Sequence, residues 1–255
     1  MSKGKVVFCT PSLNGPTIPY VESMEASIPL LVEAGWDEGY TQELGNPYIS
    51  AARMGMTRKA LDSKADVIVY LDYDLSWSPG DLLKLIETEG DVVCGTYRFK
   101  KDEEEYMGRW ITEDDGTPIV REDGCVKTYL APAGFLKVTK RALTMFMKKY
   151  PELVCGDPLS PQVDLFNHGA RDGIWWGEDF GFCDRWIKAG GEIWTVPDLN
   201  INHHSSDFYT RKSTKEFKGN LHKWLMSLEG GSLHQPDLEE QLQNQSTKET
   251  EGEEE

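Results

Sequence analysis

The 255 residues carry 43 acidic and 27 basic side chains, a formal net charge of −16, and eight Trp, ten Tyr and nine Phe. So acidic a chain is a poor match for a non-specific nucleic-acid binder, whose affinity comes from Lys and Arg against phosphate. No run approaches the ~18 apolar residues of a membrane span and no apolar signal core follows the initiator Met, so a soluble cytoplasmic protein is expected. Cys9, Cys94, Cys125, Cys155 and Cys183 are scattered and form no C-x-x-C pair, which points to free thiols in a reducing compartment and away from a structural zinc.

Residues 5–9 read as a first strand, and the Pro- and Gly-rich loop that follows, from Thr10 and Pro11 to Pro16, lies at a strand's C-terminal edge, where it could hold a nucleotide. Neither G-x-G-x-x-G nor a Walker A sequence is present, so the dinucleotide and P-loop readings lose their main support. Residues 18–34 are expected to be helical, broken or kinked at Pro29, and 36–43 to form a second strand. In residues 48–63, Ile49, Ala52, Met56, Ala60 and Leu61 recur at helical spacing. Arg53 on this helix could reach a diphosphate or hold an Asp side chain, while Arg58 reads as a surface charge.

The chain is organised around residues 65–79. Residues 67–71 are an unbroken run of strand formers, the pattern of a strand covered on both faces. Because strand side chains repeat with a period of two, Asp72 and Asp74 at its C-terminal end are expected to project to the same side, at the edge where open α/β sheets bind ligands. Two carboxylates held together there call for a cation, and oxygen ligands suit Mg²⁺ or Mn²⁺. Ser78, Pro79 and Asp81 start a helix.

Residues 91–96 read as another buried strand and 101–124 as an exposed, acidic excursion with a hairpin. Strands at 126–129 and 134–138 flank Ala131-Pro-Ala-Gly134, and Thr139 caps a helix over 140–149. Residues 150–173 read as a long loop of the kind that forms active-site lids. Glu178 and Asp179 fall in the first turn of a helix with Phe182, Trp186 and Ile187 on its apolar face, ended by Gly190-Gly191. Carboxylates in a first turn either serve as a base or only cap the helix. Residues 192–196 and 199–202 read as a strand pair that delivers His203 and His204, one of which could be a third metal ligand; mixed nitrogen and oxygen ligation favours Mn²⁺. Phe217, Leu221, Trp224, Leu225 and Leu228 suggest an amphipathic helix over 213–228, stopped by Gly230-Gly231. The basic stretch Arg211, Lys212, Lys215, Lys218, His222 and Lys223 is either its solvated face or a phosphate contact. Residues 237–255 hold eight acids and one lysine, and 231–255 are expected to be a disordered acidic tail.

Leu71-Asp-Tyr-Asp-Leu-Ser-Trp-Ser-Pro79, Trp176-Gly-Glu-Asp-Phe-Gly-Phe-Cys183 and Pro197-Asp-Leu-Asn-Ile-Asn-His203, in this order, resemble the GT-A glycosyltransferases, above all the small family-2-like enzymes of bacteria, phages and large viruses. The resemblance spans residues 5–205. It implies one α/β domain over 1–230, a Rossmann-like mixed sheet flanked by helices. By position it places nucleotide and metal on Asp72, Tyr73 and Asp74, with Asp74 the nearer metal ligand beside Asp72. His203 matches the family's ligand better than His204, and the doubled His leaves both open. Asp179 would be the general base, Glu178 would orient it or bind acceptor, Arg53 would be the nucleotide-side arginine, and Ala133 and Gly134 would belong to the wall between donor and acceptor.

The implied activity is metal-dependent hexosyl or pentosyl transfer with inversion, from a nucleoside-diphosphate sugar, UDP being the commonest, with Mn²⁺ or Mg²⁺. The acceptor would be a saccharide or a hydroxymethylated base in phage DNA, and the acidic run Glu103 to Glu105 departs from the family and leaves that choice open. No segment marks an obligate protein partner. The alternatives are a nucleotidyltransferase and a non-catalytic sugar-nucleotide or glycan-binding module.

Overall fold

The computed structural model describes residues 2–227. The expected tail, Leu228 and the Gly230-Gly231 stop lie outside the described residues. Strand β1 (Gly4–Ser12) lies between two parallel neighbours, β2 (Trp36–Leu44) and β3 (Val67–Leu71), reached through helices α1 (Ile18–Glu33) and α2 (Ile49–Asp62). Helix α1 runs through Pro29 without the expected break. Pro29 and Glu25 both face solvent, where water can satisfy the Glu25 carbonyl that loses its partner.

β3 is buried along its whole length, as its composition requires. Ile68 and Tyr70 join one core with Ala52, Met56 and Ala60 of α2. Val67, Val69 and Leu71 join the opposite core with Tyr20 and Leu31 of α1. Burying such side chains contributes roughly 1.5–3 kcal/mol each, which fixes the strand's register and therefore where it ends.

After β3 come β4 (Leu75–Trp77), α3 (Pro79–Glu87), β5 (Val92–Cys94), β6 (Arg109–Trp110), β7 (Val126–Leu130), β8 (Phe135–Thr139) and α4 (Lys140–Lys149). Thr139 caps α4 through its side chain, accepting from the Ala142 N–H. Next follow β9 (Val154–Asp157), β10 (Ser160–Val163), β11 (Gly169–Arg171), β12 (Ile174–Trp176), α5 (Glu178–Lys188), β13 (Ile193–Thr195), β14 (Ile201–Ser206), β15 (Ser213–Phe217) and α6 (Leu221–Ser227). The main sheet is ordered β2-β1-β3-β8-β5-β13-β7-β6 and is mixed, with β8 antiparallel to both β3 and β5. Helices α2, α4 and α5 supply one core and α1 and α3 the other, which is the flanked α/β sheet expected. No helix among the described residues is long and apolar enough to cross a membrane.

Three segments differ from expectation. Residues 150–173 are not one loop: they form the β9–β10 and β11–β12 hairpins, the second turning at Asp172-Gly173 with φ of 53° and 78°. That is the type I′ geometry that Asp-Gly favours. β13 and β14 do not pair, because β13 is already bonded on both edges, by β5 and β7. The chain must leave the sheet after Thr195, and β14 joins β4 and β15 in a small sheet of its own. Residues 213–217, expected to be helical, are strand β15, and the helix starts only at Leu221, after Asn220 accepts from the Lys223 N–H. The 101–124 excursion is largely exposed but is pinned by Tyr106 and Trp110, which pack with Leu221 and Trp224. All five cysteines are free thiols, and Cys155 alone is exposed.

Candidate active site

β3 stops at Leu71, so the two aspartates do not share a strand face as the period of two suggested: Asp72-Tyr73-Asp74 is a turn into β4, and the two carboxylates take different partners. Asp72 donates its N–H to the Gly134 carbonyl at 2.8 Å. Its Oδ1 accepts from Arg53 Nη2 at 3.0 Å and its Oδ2 from the Tyr97 hydroxyl at 3.1 Å. Burial raises the pKa of Asp72, outweighing the Arg53 charge that lowers it. Gly134 is required here because a Cβ would overlap both the Tyr97 hydroxyl and the Asp72 carboxylate. Gly134→Ala should therefore push both side chains out of place and cost roughly 1–3 kcal/mol, read as a shift in the urea midpoint. An unchanged midpoint would show that this wall yields.

Arg53 is 1% exposed and holds a second carboxylate, Glu178 Oε1 at 2.9 Å from Nη1, so α2 ties the end of β3 to the start of α5. Desolvation opposes its charge, and the charges of Asp72, Glu178 and Asp179 overcome that and raise its pKa. Asp179 accepts from the Phe180 N–H at 2.8 Å. Burial, and then the neighbouring Glu178 charge, push its carboxyl up to about 6. A carboxylate tuned toward neutrality is a competent proton acceptor at pH 7.

Asp74 belongs to the other half of the site. Its Oδ2 lies 3.5 Å from His203 Nε2 and carries the Lys100 ammonium. Burial acts to raise the pKa of Asp74, but the contacts from His203 and Lys100 win and lower it. His203 Nδ1 lies 2.8 Å from the Arg98 carbonyl, which can only accept, so Nδ1 carries a hydrogen and Nε2 is the ring nitrogen that faces Asp74. The strand alternation of β14 sends His204 the other way, to Ser76 Oγ at 2.7 Å and Ser213 Oγ at 2.9 Å, where burial lowers its pKa.

No three His, Cys, Asp or Glu side chains among the described residues converge as a cation cage. Asp72 accepts from Arg53 and Tyr97, whereas Asp74 accepts from Lys100. Asp74 with His203 is nevertheless a fitting donor set for a divalent cation that takes its remaining oxygens from a phosphate-bearing ligand. The two residues line a cleft of about 350 Å³ with Asp72, Tyr73, Pro11 to Leu13, Asn46, Pro47 and Ile49. Tyr73 also anchors the 12–17 loop through its carbonyl, which accepts from the Thr17 N–H at 2.9 Å. Thr10 is not at the cleft: β1 continues to Ser12, and the Thr10 side chain is buried against the Tyr20 hydroxyl. Ala133 is buried in the core beneath the wall. Arg58 pairs with Asp62 on the outside of α2, as expected.

No protein-family model matches this chain, and no curated protein does. Among solved structures the chain is similar to A197 from STIV, at 19% identity over 86% of this chain and 95% of that one, with a TM-score of 0.47. It is similar to GalNAc-T7 solved with UDP, GalNAc and Mn²⁺, at 12% identity over 78% of this chain and 44% of that one, TM-score 0.46. A Drosophila galactosyltransferase 7 solved with manganese, UDP-Gal and xylobiose gives 11% identity over 93% and 79%, TM-score 0.42. These are similarities of chain path alone.

Sequence reasoning did not single out Tyr97, Arg98 or Lys100 as site residues. They follow β5 at its carboxyl end, in the segment that carries the chain past His203. Position alone was the available signal: a Tyr-Arg-Phe-Lys run leaving a buried strand at its ligand-binding edge.

Proposed function

We propose that this chain is a glycosyltransferase that takes a sugar from a nucleoside-diphosphate sugar and passes it, with inversion, to an acceptor hydroxyl. One observation carries the reading: buried Arg53 clamps Asp72 and Glu178 together, which sets an Asp-x-Asp turn and a Glu-Asp helix start at one site. Asp179 would take the proton of the acceptor hydroxyl as it attacks the anomeric carbon from the face opposite the departing diphosphate. Glu178, held by Arg53, would orient the acceptor. Asp72 and Tyr73 would border the nucleotide, with the Pro11 to Leu13 strand end opposite. Asp74 and His203 would hold a divalent cation, Mn²⁺ or Mg²⁺, whose charge stabilises the leaving diphosphate when bound. A saccharide acceptor suits a protein of net charge −16 better than DNA, since phosphate contacts need cations.

Thermal shift against UDP-, GDP-, ADP- and dTDP-sugars, with and without Mn²⁺, tests the donor. A sugar nucleotide at a hundredfold over its Kd stabilises the native state by ~2.7 kcal/mol, an increase of roughly 5–10 °C in Tm for a chain of this size. A flat response to all of them would sink the proposal. Release of pyrophosphate in place of nucleoside diphosphate on turnover would move the chain to nucleotidyl transfer.

A further inference from the structure

Resting on that donor reading, we infer that Lys100 is a counter-ion exchanged between Asp74 and the donor's diphosphate, and that this exchange makes cation and nucleotide bind cooperatively. The inference starts from the charges at the site. Arg53 cannot serve an incoming diphosphate, because it is 1% exposed and both its terminal nitrogens are engaged, by Asp72 and Glu178. Lys100 can. Its side chain is 33% exposed, and its ammonium is a compact charge with three donors on a flexible stem, anchored at Asp74.

The anchoring oxygen matters. Lys100 sits on Asp74 Oδ2, the same oxygen that His203 Nε2 faces at 3.5 Å, and so occupies the atom that a divalent cation shared by Asp74 and His203 would take. An ammonium and a divalent cation repel on one carboxylate oxygen. A cation arriving alone must therefore expel Lys100 into solvent, which weakens its binding. With a diphosphate in the cleft, the expelled ammonium gains a better-charged partner, and each ligand then favours the other. By linkage the two enhancements are equal in size.

The test uses the full chain and needs no turnover. Mn²⁺ binding is followed by electron paramagnetic resonance of the free ion, and UDP, GDP, ADP and dTDP binding by calorimetry with and without saturating Mn²⁺. Wild type should bind Mn²⁺ weakly alone and at least ~10-fold more tightly with its nucleotide, within the ~5–150-fold range of such couplings. Lys100→Met should bind Mn²⁺ alone several-fold more tightly than wild type and nucleotide about tenfold more weakly with Mn²⁺ present, so that the coupling shrinks. Lys100→Arg, which keeps the charge, should restore most of the coupling. A melting temperature close to wild type confirms that the variants fold. If Lys100→Met changes neither affinity by more than about twofold while wild type shows the coupling, Lys100 is only a partner of Asp74 and the inference is wrong. If wild type itself binds none of the four nucleotides with Mn²⁺, the donor reading falls first and takes the inference with it.

Discussion

Asp179→Asn is expected to lower turnover by ~10²–10⁴, the usual contribution of a general base, while leaving nucleotide affinity near wild type. The Asn side chain keeps an acceptor for the Phe180 N–H and nearly the same shape, so the loss isolates proton transfer from geometry. The same substitution should stabilise the fold. The folded-state pKa of Asp179 is about 6, raised above its ordinary value of 3.8 by burial and by Glu178. The native protein therefore binds this proton more tightly than the unfolded chain, and that stabilisation is lost as pH rises from about 4 through 6. At pH 7 the ionised carboxylate costs on the order of 3 kcal/mol, which Asn removes, so Tm should rise by roughly 5–10 °C at pH 7 and hardly at all at pH 4. In wild type, kcat/KM should climb as pH passes about 6, since only the ionised form accepts a proton. Retention of most activity in Asp179→Asn, or a pH profile flat from 5 to 8, would mean that another group is the base.

Arg53→Met should be the most damaging single change to stability. Met matches the buried volume roughly but leaves Asp72 and Glu178 without the guanidinium that reaches both, at 3.0 and 2.9 Å. Breaking a buried ion pair from one side costs roughly 3–5 kcal/mol, about 10 °C in Tm for a chain of this length. The deficit should be largest at neutral pH and shrink under acid conditions, because Asp72, already raised by burial, escapes the penalty by taking a proton. Lys at this position keeps a charge but has one nitrogen to divide between two carboxylates, so it should recover only part of the loss. Urea titrations at pH 5 and pH 7 separate these outcomes, and equal stability of Arg53→Met and wild type at pH 7 would remove the clamp from the account.

The central strand and the start of α5 were legible in the sequence. Residues 67–71 could only be a doubly covered strand, and β3 is that. Glu178 and Asp179 stood before an apolar stripe at helical spacing, and α5 begins there. What failed was local signals read without their partners. Phe217, Leu221, Trp224 and Leu225 fit one helical face, but Phe217 pairs across from His203 in a sheet and the other three follow a break at Asn220. Asp172-Gly173 is a hairpin signal that the prolines and sparse apolar positions of residues 150–173 mask. Whether Asp72 and Asp74 face the same way depended on where β3 stops, which packing decides and alternation does not. Lys100 carries no motif, and only the fold brings it to Asp74.

The position of β8 also sets the order in which the protein can be made. β3 and β5 do not pair with each other; each pairs with β8, whose residues lie 64 to 72 positions downstream of their β3 partners, from Leu71–Phe135 to Val67–Thr139. A nascent chain that has emerged only as far as β5 carries two apolar strands with open edges and nothing to close them. The central sheet can zip only once residues 135–139 leave the ribosome, and the Arg53–Glu178 clamp, 125 positions apart in sequence, comes later still. Long-range pairing of this kind folds slowly and leaves strand edges available to other chains, so expression yield should depend on chaperone supply and growth temperature more than native stability suggests.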